Sequence, residues 1–252
     1  MEKYFSINKN KFSVRCKLYC DDIKNVQTAI IFIHGFCGHK DNGAAEKLAK
    51  HVLQKNKGVL VLCFNLPCHG DDARKKLVLD ECGEYIKIVI SYVKERWNPS
   101  KLYANATSFG GYLLLRFIAG EGNPFDKIAL RCPAVTMYDV ITNTIISEDE
   151  LQKLKSGKSV SVGFDRKIEI TSEFLNELRE NDITKNDYKE VADRMLIVHG
   201  QADEVVPFSS SKEFAQKNNI AFVPVEGADH RFLDPFKMNF AIMRMIEFLS
   251  LK

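Results

Sequence analysis

The stretch Leu102-Tyr103-Ala104-Asn105-Ala106-Thr107-Ser108-Phe109-Gly110-Gly111 decides how the rest of the 252-residue chain is read. Leu102 to Ala106 is a β-type run, Tyr112 to Ala119 is helical, and a serine stands in the sharp turn between them. Such a turn lifts the serine Oγ above the C-terminal edge of a sheet, and its strained backbone demands small residues two positions before and after. Ala106 and Gly110 meet that demand. The helix that follows aims free backbone N–H groups at charge developing beside Ser108.

Working outward, β-type runs alternate with helical patterns, which points to an α/β fold with a mostly parallel central sheet covered on both faces. Lys11 to Tyr19 alternates like a half-exposed antiparallel strand. Ala29-Ile30-Ile31-Phe32-Ile33 and Val59 to Phe64 are continuous apolar runs suited to buried strands. Helices are expected over Asn42 to Asn56, Leu79 to Trp97 and Phe236 to Leu249, with further strands at Asp126 to Cys132, Met195 to Val198 and Ile220 to Val225. Between Pro133 and Arg194 the chain has roughly twice the length a crossover needs. Residues 1–134 and 194–252 therefore read as one core domain and 135–193 as an inserted lid. Within the lid, Val160, Val162 and Phe164, then Ile168 and Ile170, alternate with polar residues around Asp165-Arg166-Lys167, the pattern of a β-hairpin. Thr171 or Ser172 then caps a short helix that carries Phe174, Leu175 and Leu178 on one face.

Composition excludes several classes. With 45% hydrophobic and 27% charged residues the chain is neither disordered nor fibrous. Thirty-six basic and thirty-three acidic residues give a formal charge of +3. That charge is spread along the chain, so neither nucleic acid nor an anionic membrane is expected as a partner. The cluster Asp71-Asp72-Ala73-Arg74-Lys75-Lys76 mixes signs and reads as a solvated loop. The N-terminal residues lack the apolar region of a signal peptide and no run is long enough to span a membrane, so the expected location is cytoplasmic. Seven cysteines without CxxC spacing read as free thiols. Cys63, Cys68 and His69 are residue types that ligate metals, but Cys63 sits inside an apolar strand, and neither metal nor cofactor is expected.

A serine hydroxyl needs a base to take its proton and a buried acid to orient that base. Where this strand–serine–helix turn is used, the acid and then the histidine follow the serine in the chain. Only His199 and His230 follow Ser108. His199 precedes the good acid candidates, which leaves His230 in Gly227-Ala228-Asp229-His230. The loop His199 to Pro207 offers Asp203 and Glu204, of which Asp203 is preferred; Asp229 adjoins His230 and suits a capping or solvated role. The oxyanion hole needs one amide from the residue after the nucleophile and one from the loop after an earlier strand, giving Phe109 and Phe36. His34 and His69, both before Gly, read as histidines bonded to backbone.

These segments, in this order, resemble the α/β-hydrolase superfamily over nearly the whole chain outside the insertion, and more closely the small bacterial cinnamoyl and feruloyl esterases. The His34-Gly35-Phe36-Cys37-Gly38-His39-Lys40 loop and the compact lid carry the closer likeness. Two departures from the family pattern stand out: Ala106 for glycine, and Asn65-Leu66-Pro67-Cys68-His69-Gly70 for Asp-x-Arg-Gly-His-Gly. The resemblance implies an α/β-hydrolase fold and a cofactor-free serine esterase with Ser108 as nucleophile, His230 as base, Asp203 as orienting acid and the Phe36 and Phe109 amides as oxyanion donors. The implied partner is a small soluble ester, short-chain or hydroxycinnamoyl, and a homodimer is compatible with the sequence. A thioesterase or small-peptide hydrolase would use the same groups, and a non-catalytic binding module would keep the pocket while losing one of the three. Tyr138 and Asp139, just past the strand ending at Cys132, are the nearest polar candidates for binding a substrate hydroxyl. Cys37, Cys68 and Cys132 are expected near the site, where bulky thiol reagents would inhibit.

Overall fold

The computed structural model describes residues 1–163 and 166–251. Phe164 and Asp165, assigned from the sequence to the hairpin and its turn, lie outside the described residues. The chain opens with a hairpin of β1 (Glu2–Lys9) and β2 (Phe12–Cys20). Then β3 (Thr28–Ile33), α1 (Gly43–Lys55), β4 (Val59–Phe64), α2 (Leu79–Trp97), β5 (Lys101–Thr107) and α3 (Phe109–Glu121) alternate. After β6 (Lys127–Arg131) come α4 (Met137–Val140), a π turn over Ile141–Ile145, α5 (Glu148–Lys155), the strands β7 (Val160–Val162) and β8 (Ile168–Ile170), and α6 (Ser172–Glu180). The chain closes with β9 (Met195–Gly200), α7 (Phe208–Asn218), β10 (Ala221–Val225) and α8 (Pro235–Phe248).

Eight strands form the central sheet in the order β1-β2-β4-β3-β5-β6-β9-β10. The β1–β2 and β2–β4 pairs are antiparallel and the other five are parallel. Strand alternation divides the apolar residues between two layers. Ile31, Ile33, Leu60, Leu62 and Ile197 pack toward α2, α3 and α7, while Ile30, Phe32, Val61 and Val198 pack toward α1 and α8. Burial on both faces is why the central strands read as unbroken apolar runs. Among the described residues no helix is long and apolar enough to cross a membrane.

The structure corrects several expectations. β1 was not anticipated, and because it covers β2 on the outer side, β2 is buried from Lys17 to Cys20 rather than half exposed. Lys17 tolerates that position through ion pairs with Glu2 at 3.1 Å and Asp41 at 3.6 Å. The segment Asp71 to Lys76 is not a solvated loop at its centre. Asp72 is buried, and its carboxylate accepts from the Cys68 and Arg74 amides and from the Tyr85 hydroxyl. α3 begins at Phe109, directly after Ser108.

The segment between β6 and β9 contains the expected hairpin, with Val160 opposite Ile170 and Val162 opposite Ile168, and Thr171 caps α6 through the Phe174 amide. The hairpin is fastened to the core. Glu169 exchanges backbone hydrogen bonds with Lys75 and Leu77, and the Arg166 guanidinium donates to the carbonyls of Gly70 at 2.6 Å and Arg74 at 2.7 Å.

The β5–α3 turn requires its glycine. A Cβ at Gly110 would stand 2.5 Å from the carbonyl oxygens of both Ile33 and His34, backbone atoms that cannot swing aside. Gly110→Ala is therefore expected to cost about 2–3 kcal/mol, or roughly 5–10 °C in thermal midpoint for a chain of this size. A melting curve matching the wild type would mean that the turn is not packed this tightly.

Candidate active site

Ser108 joins β5 to α3 with φ 53° and ψ −120°, a left-handed backbone for a residue that carries a Cβ. Its amide donates to Arg131 O at 3.0 Å, and its carbonyl accepts from Gly111, Tyr112 and Ala134. The turn is thus held from the neighbouring strand and from its own helix. Gly35, on the loop after β3, passes close beside it: a Cβ there would lie 3.1 Å from Ser108 Cβ.

His230 and Asp203 come from the two loops at the same sheet edge. The β9 loop is folded by Asp203 itself, whose Oδ1 accepts from the Val205 amide at 2.9 Å and the Val206 amide at 2.7 Å. Its Oδ2 lies 2.8 Å from His230 Nδ1, and His230 Nε2 lies 3.1 Å from Ser108 Oγ. The acceptor at Nδ1 requires the proton there, which leaves Nε2 with a lone pair facing the hydroxyl. The Asp203 side chain is fully buried and that of His230 is 13% exposed. Burial works to raise the Asp203 carboxyl, but hydrogen bonds from His199, His230 and the Val206 amide hold it well below the usual carboxylate range.

The alternative acids are engaged elsewhere. Glu204 accepts from the His230 backbone amide at 3.2 Å, and Asp229 accepts from the Leu233 amide in a capping arrangement. The Phe36 and Phe109 amides have no acceptor among the described residues. The Phe36 and Phe109 rings pack edge to face at 5.8 Å.

His34 and His69 serve the backbone. His34 Nδ1 donates to Gly35 O and its Nε2 accepts from the Leu66 amide, while His69 Nδ1 donates to Pro67 O. Burial pulls His34 well below the ordinary histidine value and His69 down to about 4. Asn65 joins two loops, accepting from the Lys40 amide and donating to Asp71.

Tyr138 and Asp139 lie in α4, the short helix that follows β6. The Tyr138 hydroxyl accepts from Arg179 at 2.7 Å and Asp139 is exposed. No hydrogen bond joins either residue to Ser108, Asp203 or His230 among the described residues. Sequence reasoning missed Arg131, a buried guanidinium that donates to His230 O at 3.1 Å and lies 5.2 Å from the Phe232 ring. A basic residue ending a buried strand was the signal that could have found it.

Cys132, Asp203 and His230 each present a donor atom within 4.8 Å of the others, a set that zinc accepts. Here the Asp203 and His230 donors are already hydrogen-bonded to each other, and burial pushes the Cys132 thiol far above its usual range.

The match to a family model described as alpha/beta hydrolase fold covers residues 28–159, just over half of the chain. Among solved structures, Est1E from Butyrivibrio proteoclasticus with ferulic acid bound is 20% identical, with TM-score 0.74 over 98% of this chain and 99% of that one. Mouse alpha/beta hydrolase domain-containing protein 10 is 14% identical, with TM-score 0.73 over 98% of each chain. A monoacylglycerol lipase from Paleococcus ferrophilus is 17% identical, with TM-score 0.68 over 95% of this chain and 99% of that one. At these identities the likeness is one of fold. No curated protein matches the chain at a significant level.

All seven cysteines are free, and Cys37 is the one not buried. Burial still pushes its thiol up to about 11. A bulky maleimide applied to the native protein is expected to modify Cys37 alone and slowly, as peptide mass mapping would show. Modification of Cys68 or Cys132 without unfolding would contradict their burial.

Proposed function

Because the chain belongs to the alpha/beta-hydrolase family, we propose that it is a serine hydrolase that cleaves carboxylic esters through an acyl-serine intermediate. The observation that carries this reading is the continuous path Ser108 Oγ to His230 Nε2 at 3.1 Å and His230 Nδ1 to Asp203 Oδ2 at 2.8 Å. His230 Nε2 takes the hydroxyl proton as Ser108 Oγ attacks the acyl carbon. The Phe36 and Phe109 amides receive the developing oxyanion. As the C–O bond to the alcohol breaks, His230 returns the proton to the leaving oxygen. Water then gives a proton to His230 and attacks the acyl carbon, and collapse releases the carboxylic acid and restores the Ser108 hydroxyl. Asp203 stays ionised and keeps the imidazole in the Nδ1–H tautomer.

Residues 135–193 act in this reading as a wall over the acyl side of the site, set on a core of 1–134 and 194–252. Two contacts support a fixed wall over a swinging cover: the Arg166 clamp on Gly70 and Arg74, and the close seat of Gly163, where a Cβ would lie 3.2 Å from Cys37 Sγ. A wall of this kind suits small soluble esters with short acyl chains. Hydroxycinnamoyl esters form the second class to try, given the ferulic acid held by Est1E.

Ser108→Ala should fold normally, lose ester turnover and lose labelling by a fluorophosphonate; labelling at the wild-type level would refute Ser108 as nucleophile. Asp203→Asn is expected to lower kcat by about 10⁴, the size of the effect in the protease case, by favouring the wrong imidazole tautomer. Near-normal activity would transfer the acid role to Glu204 or Asp229. A panel of aryl acetates, butyrates, long-chain emulsions, hydroxycinnamate methyl esters, acyl-CoA and aminoacyl amides should be led by the short or hydroxycinnamoyl esters, without acceleration at the solubility limit. Fastest turnover of thioesters or amides would reassign the substrate class.

A further inference from the structure

His199 is the next-to-last residue of β9 and its side chain is fully buried. Its Nε2 lies 3.1 Å from Asp203 Oδ2, the same oxygen that holds His230 Nδ1 at 2.8 Å, and 3.2 Å from Val206 O. Both neighbours of Nε2 are pure acceptors, so the proton sits on Nε2. Nδ1 of His199 is buried with no partner among the described residues. A proton there would be a buried donor without an acceptor, so the ring is held as the neutral Nε2–H tautomer. The ring meets Phe208 edge to face at 5.7 Å, which fixes its plane. One carboxylate oxygen thus accepts from two imidazoles of opposite tautomer, one sealed in the core and one facing the serine.

We propose that His199 is a positioning residue that divides the charge of Asp203: by donating to the oxygen that orients His230, it limits how tightly Asp203 holds the imidazolium formed during acyl transfer. A carboxylate oxygen with a second donor is a weaker acceptor for the first. Without His199, Asp203 would favour charged His230 more strongly, and the base would be neutral, and so competent, only at higher pH. The other groups around Asp203 and His230 are Arg131 and Cys132 at the end of β6, Glu204 beside Asp203, Asp229 before His230, and Ser108. Of these, the Cys132 thiol also bonds the Asp203 carboxylate, while His199 and His230 present the two ring N–H groups to Oδ2. This inference rests on the serine-hydrolase reading.

The test follows the second-order rate of fluorophosphonate labelling at Ser108 from about pH 5 to about pH 9 in wild type, His199→Phe and His199→Gln. His199→Phe should move the acid limb upward by about half a unit to one unit. His199→Gln, whose amide nitrogen can occupy the Nε2 position, should return the limb toward wild type. Equal loss of plateau rate in both variants with an unmoved limb is the signature of a merely structural residue and would overturn the proposal. Nitrogen NMR of the wild-type imidazoles gives an independent reading should His199→Phe fail to fold. Opposite tautomers for His199 and His230 are expected, and an Nδ1–H His199 would overturn the proposal. If wild type does not label at all, the serine-hydrolase reading fails instead.

Discussion

The left-handed backbone at Ser108 persists because its peptide groups are bound on every side, by Arg131 O at the amide and by the Gly111, Tyr112 and Ala134 amides at the carbonyl. A non-glycine residue in that region costs of order 1–3 kcal/mol, and a dense set of local bonds offsets it. The consequences spread outward. Binding Arg131 fixes the register between β5 and the end of β6, from which the Arg131 side chain reaches the His230 carbonyl. Packing α3 hard against β3 requires Gly110, and bringing the β3 loop alongside requires Gly35. The β3 loop and the chain leaving β6 are thereby packed and bonded against this one turn.

The polar edge differs in kind from the two apolar layers below it. Asp203 is a buried charge, and its burial is tolerated because backbone amides satisfy one oxygen and imidazole N–H groups the other. The same carboxylate shapes the β9 loop and orients the His230 imidazole, so the fold of that loop and the geometry of the site cannot vary independently. His34 and Asn65 do comparable work around the β3 loop, where a local bond to Gly35 and bonds that tie the β3 and β4 loops through Leu66 and Lys40 flank Phe36.

Much of this was legible in the residue pattern. The parallel strands announced themselves because burial on both faces leaves no polar alternation to blur them, and the turn at Ser108 did so because strain restricts its neighbours to small residues. β1 was not legible: Tyr4-Phe5-Ser6-Ile7 forms an edge strand only through its register with β2, which no local signal encodes. Asp72 looked solvated because charge in a run suggests exposure, whereas its own loop turns two amides onto it and α2 brings the Tyr85 hydroxyl. Chain order excluded His199 as the base but could not show that its ring returns to Asp203, four residues on. Tyr138 was picked out by chain proximity alone, and its bond to Arg179 on α6 is a contact that chain order does not show.

In the proposed reaction Ser108 carries the acyl group between the two halves. The most direct measurement is intact-protein and peptide mass spectrometry on the wild type, quenched in acid during turnover of an aryl acetate. One acetyl group on the peptide containing Ser108, present during turnover and gone once substrate is exhausted, is the predicted result. Turnover with no adduct on that peptide, or with the acetyl group on Cys37 instead, would contradict the account.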